Sequence, residues 1–349
     1  MFNNPTKFLF IMTLMSGTLI TVSANSWFGA WMGLEINLLS FIPLMSTSRN
    51  LFSNEASLKY FLIQALASAT LLFAVILTSL SFSLPNTLEM SFTPLTTLIN
   101  SSLMLKMGAA PFHFWFPGVM EGLSWMNGLT LMTWQKIAPL MLLSYNLTMN
   151  TFISLIIVSS VIIGSLGGLT QTSLRKILAY LLLIIWDDYS QLYFYEKIFE
   201  YYMYLLMYFY EQLLSSHLMP LIIHLMYIKF FPSTLQPPLC DVGPILPIVT
   251  TLLSLGGLPP FLGFLPKWLI IQSMVEANLM PIITTMVIMT LITLFYYLRL
   301  SFGAFMLTYS ETLWNFNNSQ NNLNHMTALN LAILSILGLP LSSLLYWML

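Results

Sequence analysis

Apolar residues run in long blocks along this chain, and polar residues collect in the short intervals between them. The blocks lie near 6–23, 26–46, 57–83, 95–116, 123–146, 150–171, 245–272, 280–306 and 325–348. An α-helix needs roughly 20 apolar residues to cross the hydrocarbon layer of a bilayer, so each block predicts one span. Two further spans fit between 174 and 235, where the pattern is poor, and bring the expected number to about eleven. The expected fold is all-α, a polytopic transmembrane helix bundle forming one domain over 1–349, with an anomalous segment at 181–241.

Composition narrows what such a bundle can do. Of 349 residues, 57% are hydrophobic and 7% charged, whereas a soluble protein carries about 25% charged residues. An ordinary soluble enzyme is excluded, and so is a disordered chain. Eleven Lys and Arg stand against twelve Asp and Glu, too even a balance for a nucleic-acid footprint. The one cysteine, Cys240, excludes a disulfide framework, a CxxC redox pair, a structural zinc site and cysteine-held iron–sulfur clusters. No GxGxxG after a strand, no GxxxxGKS/T and no HExxH occurs. Any chemistry is therefore expected inside the membrane or in partner subunits. The first residues, MFNNPTKFLF, lead into a span with neither a cleavage site nor an Arg-rich presequence, so the chain is expected to insert where it is made. Twenty-four methionines beside few Lys and Arg match an organelle-encoded membrane subunit, although a bacterial one would look the same by composition.

Basic residues in the intervals give the orientation. Arg49 and Lys59 flank the interval after the second span, and Arg175 and Lys176 the one after the sixth. The intervals after the third and fifth spans carry neither Lys nor Arg. This is the positive-inside pattern, and its parity places six spans before Arg175 with the N-terminus on the opposite face.

Four ionisable residues interrupt the apolar spans. A charge at the bilayer centre costs about 2.5–3.5 kcal/mol on insertion scales, so it persists where it faces the bundle interior, finds a partner or serves a pathway. Glu35 lies mid-span in WFGAWMGLEINLLSFIPLM. It reads as a proton carrier or as a charge that tunes a neighbouring lysine, against the plainer alternative of a structural pair. Lys106 stands in NSSLMLKMGAAPFHFWFP. Pro111 removes a helical hydrogen bond to the carbonyl of residue 107 and predicts a weakened helix one turn beyond the lysine. His113, near the same helical face, is a secondary candidate, with a backbone-bonded histidine as the alternative. Lys136 sits in LTLMTWQKIAPLMLLSY three residues before Pro139, and Lys267 follows GGLPPFLGFLP, where glycines and prolines interrupt an apolar segment. Broken helices at membrane depth are tolerated within protein or beside a watery cavity, and transporters build ion sites at their ends. Lys267 reads either as a proton carrier or as the counter-charge to a half-helix dipole. A lysine moved towards or away from a carboxylate such as Glu35 loads or unloads a proton. Carrying one charge against 100 mV needs about 2.3 kcal/mol, within reach of one switched ion pair.

The stretches WMGLEINLLSFIP, SSLMLKMGAAPFHFWFP, MTWQKIAPL, GGLTQTSLRK and LSLGGLPPFLGFLPKW closely resemble the chain 2 family of mitochondrial NADH–ubiquinone oxidoreductase (respiratory complex I), most of all its insect members. The resemblance covers roughly 1–180 and 242–348, and the motifs are highly specific in combination. It implies a kinship with Mrp-type sodium/proton antiporters, broken helices, a polar axis along the membrane midplane and, as in animal members, eleven spans. It implies that Glu35 and Lys106 form the family's carboxylate–lysine pair, that Lys136 is the connecting lysine and that Lys267 is the terminal one on the broken helix. The implied role is that of a non-redox subunit of the proton-translocating NADH:ubiquinone reductase in the inner mitochondrial membrane. No cofactor is expected on this chain; NADH, FMN, iron–sulfur clusters and ubiquinone would belong to partner subunits. The implied partners are other membrane-arm subunits and the lipid bilayer, and not nucleic acid. Two other readings stand beside this one, a stand-alone cation/proton antiporter and a structural membrane scaffold whose charges are locked in ion pairs.

One region departs from the family pattern. After SLRKILAY the family reads Ser-Ser-x-Asn-His-x-(Gly/Ser)-Trp, whereas this chain continues LLLIIWDDYSQLYFYEKIFEYYMYLLMYFYEQ. Residues 181–241 hold nine of the sixteen Tyr and six of the twelve acidic residues. In a mitochondrial code with TGA as Trp and AGA as Ser, codons for Leu-Leu-Leu-Ile-Ile-Trp-Asp-Asp-Tyr read one base earlier give Ser-Ser-Phe-Asn-His-Leu-Ser-Trp-Leu. The expectation is a reading-frame slip across about 181–241, regained before GPILP, with a divergent pair of helices as the alternative.

Overall fold

The computed structural model describes residues 5–47, 50–83, 92–146, 151–192, 250, 253–306 and part of 330–340. These belong to two compact units, Met1–Phe194 and Tyr195–Leu349. Arg49, Cys240, most of segment 181–241 and most of the expected last span lie outside the described residues. All regular structure among the described residues is helical.

The first unit holds α1 (Pro5–Ser23), α2 (Trp27–Met45), α3 (Leu51–Ser83), α4 (Phe92–Met107), α5 (Trp115–Gly122), α6 (Trp125–Met132), α7 (Trp134–Asn146), α8 (Thr151–Leu169) and α9 (Leu174–Leu192). The second holds α10 (Phe264–Glu276) and α11 (Met280–Met306), preceded by a helical stretch at 253–256. Helices α1, α2, α3, α8 and α11 are each long and apolar enough to cross a membrane. Their hydroxyls turn back onto their own helices, as Thr21 does onto the Thr18 carbonyl and Ser160 onto that of Ile156. Such bonds satisfy polar groups where no water is available.

Small residues set the helix spacing. A Cβ at Gly33 would lie 2.5 Å from Thr21 Cγ2 and 2.9 Å from the Gly17 carbonyl oxygen. Backbone contact between α1 and α2 therefore needs glycine on both sides, the usual device where lipid provides no hydrophobic drive to association. Helix α2 starts at Ser26, whose hydroxyl accepts a bond from Gly29 N–H at 3.2 Å. Trp31 Nε1 donates to the Ser68 carbonyl and Asn127 Nδ2 to that of Leu44, which tie α2 to α3 and to α6.

Three expected spans prove discontinuous, among them the 245–272 block, which divides into the 253–256 stretch and α10 around Gly257. The 95–116 block divides into α4 and α5 around residues 108–114, and the 123–146 block into α6 and α7 at Thr133. Helix α3 starts six residues before its apolar block, and an exposed Glu55–Lys59 pair, 2.7 Å apart at i,i+4, adds modest support to this first part of the helix. Its thirty-three residues measure about 50 Å, longer than a hydrocarbon layer of about 30 Å.

The inferred orientation gains a geometric counterpart in the first unit. Lys176 Nζ lies 2.7 Å from Glu121 Oε2, and Arg175 Nη1 donates to the Glu121 carbonyl at 2.7 Å while its guanidinium covers the Trp125 ring at 4.2 Å. A Cβ at Gly122 would stand 2.7 Å from the Phe52 carbonyl oxygen. The starts of α3, α6 and α9 and the end of α5 thus share one end of the unit, the end that gathers Lys59, Arg175 and Lys176.

Candidate functional site

The break between α4 and α5 is built by one glycine and three bonds. Gly108 adopts φ +79°, a left-handed conformation that residues with a Cβ rarely enter. Its N–H donates to the Leu105 carbonyl at 3.2 Å and to that of Met104 at 2.9 Å, while Ala109 N–H reaches Met104 at 3.1 Å. This is a Schellman ending with glycine just past the helix. The helix therefore stops at Gly108, three residues before the proline from which the sequence predicted weakening.

Ending a helix there leaves carbonyls that water would satisfy at a surface. Gln64 Nε2, from α3, donates to the Lys106 carbonyl at 3.0 Å. Trp115 Nε1 donates to the Leu105 carbonyl at 3.2 Å and Ser159 Oγ to that of Ala110 at 3.5 Å. The break is sealed by side chains of three helices, the condition under which irregular backbone survives at membrane depth.

Lys106 and Lys136 line the same pocket. Its polar wall comprises Asn37, Tyr60, Gln64, Lys106, Gln135 and Lys136, and its apolar wall includes Leu34, Leu38, Phe116 and Leu131. Lys106 is 7% exposed and Lys136 2%. Lys136 Nζ makes no hydrogen bond and lies 4.2 Å from the centroid of the Phe116 ring, a cation–π placement. Glu35, next to the pocket-lining Leu34 on α2, is half-buried and makes no contact ion pair with Lys106. A hydrogen-bonded chain crosses the pocket wall. Tyr60 Oη donates to Gln135 Oε1 at 3.3 Å, and Gln135 Nε2 donates to Asn37 Oδ1 at 3.1 Å.

Lys106 and Lys136 are thus brought together, whereas Glu35, nearby on α2, is not among the residues that line the pocket. His113 is not among the pocket-lining residues. Because the helix ends at Gly108, the shared-face argument does not extend to it. His113 sits in the turn Phe112–Phe114, buried, with its ring 4.2 Å from that of Phe114 and 6.1 Å from that of Tyr180. Lys267, in the second unit, donates to the Gly256 carbonyl at 3.0 Å, at the C-terminal end of the 253–256 stretch. That contact matches the counter-charge reading of this lysine. Sequence reasoning passed over Asn37, Tyr60, Gln64 and Gln135. The available signal was an uncharged amide within an apolar block, since a buried amide costs about 2–7 kcal/mol unless it is hydrogen-bonded.

Helices broken beside buried lysines, within a helical membrane bundle, define an antiporter-like membrane subunit. A family model for the transmembrane region of NADH:quinone oxidoreductase and Mrp antiporters matches residues 24–293, and one for the NADH dehydrogenase subunit 2 C-terminus matches residues 294–346. The chain belongs to this family, the chain 2 subunits of NADH–ubiquinone oxidoreductase. It is 49% identical to NADH-ubiquinone oxidoreductase chain 2 of Anopheles gambiae over 97% of both chains, and 40% identical to that of Locusta migratoria over 98% of both. Among solved structures it resembles a chain of respiratory complex I from Thermus thermophilus, with a TM-score of 0.75 and 22% identity over 96% of this chain and 78% of that one. A chain of the Mrp complex from Dietzia sp. gives 0.71 and 16% over 96% and 75%. At these identities the two structures show the fold.

Proposed function

We propose that this chain is a core membrane-arm subunit of respiratory complex I in the inner mitochondrial membrane, translocating protons as electrons pass from NADH to ubiquinone. NADH, FMN, iron–sulfur clusters and ubiquinone are bound by partner subunits. The observation that carries the reading is the pocket shared by Lys106 and Lys136 beside a sealed helix break, with Glu35 next to the pocket-lining Leu34. In this reading Glu35 is the pair carboxylate, Lys106 the switching carrier, Lys136 the relay and Lys267 the exit-side carrier.

The absence of a contact ion pair at Lys106 supports a switch over a locked scaffold. A charge pair that must open and close works best when neither partner is trapped in a dry, bidentate contact. Lys106→Met in the intact, reconstituted complex tests the assignment. Coupled pumping is expected to be lost, and a full proton yield per NADH would refute the role given to Lys106. Co-purification with flavin- and iron–sulfur-bearing subunits is expected, and isolation of a free, active cation/proton exchanger would refute membership of the complex.

A further inference from the structure

The proton-carrying reading needs a route for the proton between Lys106 and Lys136, which line one pocket. The pocket between them has space for at least one water molecule. Both ends of the Gln135 amide are already committed, its oxygen to the Tyr60 hydroxyl and its nitrogen to Asn37 Oδ1. The amide is therefore fixed in one orientation, and α2, α3 and α7 are tied together at the level of the lysines. Lone pairs remain on Tyr60 Oη, Gln135 Oε1 and Asn37 Oδ1. These are acceptors on residues that line the pocket, where a charged lysine offers only donors. Lys136 Nζ is buried and makes no hydrogen bond, so an ammonium there requires an acceptor or a hydrated contact.

We propose that Gln135, clamped between Tyr60 and Asn37, is a positioning residue that holds a bridging water between Lys106 and Lys136 for proton transfer. This rests on the reading of the two lysines as carriers. In the transfer the Lys106 ammonium gives a proton to the water as the water gives one to the neutral Lys136 amine. One N–H and one O–H bond break while one of each forms, and Gln135 itself neither takes nor gives a proton. It fixes where the water sits, and a displacement of about 1 Å in a transfer geometry can lower a rate about 100-fold. The clamp also links Glu35 to Lys136 mechanically, since Asn37 follows Glu35 by two residues on α2 and Gln135 precedes Lys136 on α7.

The test uses Gln135→Met in the whole complex, which keeps the side-chain length and removes both hydrogen bonds. Expected are normal assembly, a fall in coupled NADH oxidation of about 10- to 100-fold, and a solvent deuterium isotope effect on turnover larger than in the parent, because proton transfer becomes limiting. A structural role alone would lower the amount of assembled complex and leave the isotope effect unchanged. That outcome, or unchanged turnover and isotope effect, would overturn the proposal. Tyr60→Phe, which removes one hydroxyl, reads the same clamp if Gln135→Met does not assemble. A raised isotope effect in it supports the proposal, and an unchanged one refutes it. Lys136→Met in the same background separates the two levels of argument. If it pumps fully, the carrier reading fails; if it does not pump while Gln135→Met does, only the water-positioning inference fails.

Discussion

Replacing Gln64 by leucine isolates the seal on the helix break. The Gln64 amide donates to the Lys106 carbonyl at 3.0 Å, and Gln64 is 5% exposed. Leucine is of similar bulk and suits the apolar surroundings, so the change removes a donor without opening a large cavity. A buried carbonyl left unsatisfied costs about 1–3 kcal/mol. At about 1.4 kcal/mol per factor of ten, inactivation of the native state should quicken by roughly 5- to 150-fold if the loss falls wholly on that state. Trp115→Phe supplies an internal reference. It also removes a donor, but the Leu105 carbonyl keeps its bond from Gly108 N–H at 3.2 Å. Its loss should stay within about 0.5–1.5 kcal/mol, the net value of an ordinary hydrogen bond. The assay is the half-life of coupled activity of the intact complex at a fixed elevated temperature, a kinetic measure suited to assemblies that unfold irreversibly. Gln64→Leu should inactivate faster than Trp115→Phe. Equal half-lives for Gln64→Leu and the parent would show that the Lys106 carbonyl finds another donor and that the seal is dispensable.

Three further outcomes can be checked separately. Gly257→Ala should destabilise the helix ending at Gly257 by at least about 1–2 kcal/mol for a Cβ in left-handed backbone; with φ at +77° and Lys267 Nζ 2.7 Å from the new atom, it should also displace that lysine and lower pumping. Glu121→Gln should change stability by no more than about 1 kcal/mol, because its pair with Lys176 is solvent-exposed and the Arg175 bond uses the backbone carbonyl. Resequencing the source of residues 181–241 should restore a Ser-Ser-Phe-Asn-His-Leu-Ser-Trp-Leu reading; clean reads encoding Trp186-Asp187-Asp188 would remove the frame-slip hypothesis.

Hydrophobic blocks located the helices well because length and apolarity are what a bilayer selects. They placed the start of α2 and both ends of α8 within one or two residues. They failed at the breaks, since Met, Ala, Phe and Trp on either side of Gly108 are as apolar as the helices they separate. The proline at 111 drew attention, but a left-handed residue stops a helix more directly than a missing donor does, and glycine alone carries that signal weakly in sequence. The charged members of the site were legible because each is costly in lipid. Its uncharged members were not. Tyr60 and Gln64 sit in α3, Asn37 in α2 and Gln135 in α7, and only tertiary packing reveals that they meet. Helix α9 continues through Asp187 and Asp188 to Leu192, so backbone propensity alone does not mark where the family pattern is lost.

The breaks at Gly108 and Gly257 show one backbone solution with opposite treatments of the lysine. Gly257 repeats the ending seen at Gly108, with its N–H on Ser254 at 2.9 Å and Leu258 N–H on Leu253 at 3.4 Å. At the first break the lysine belongs to the terminating helix and its carbonyl is sealed by Gln64, which leaves the ammonium to the pocket. At the second the lysine comes from the following helix and its ammonium is itself a seal, 3.0 Å from the Gly256 carbonyl at the negative end of a half-helix. A charge used as a cap uncovers its carbonyl each time it moves, whereas a charge beside an independently sealed end moves while the backbone stays satisfied. The amide at Gln64 therefore does for the break at Gly108 what the Lys267 ammonium does for that at Gly257, and under the proposed mechanism this leaves Lys106 able to respond to Glu35.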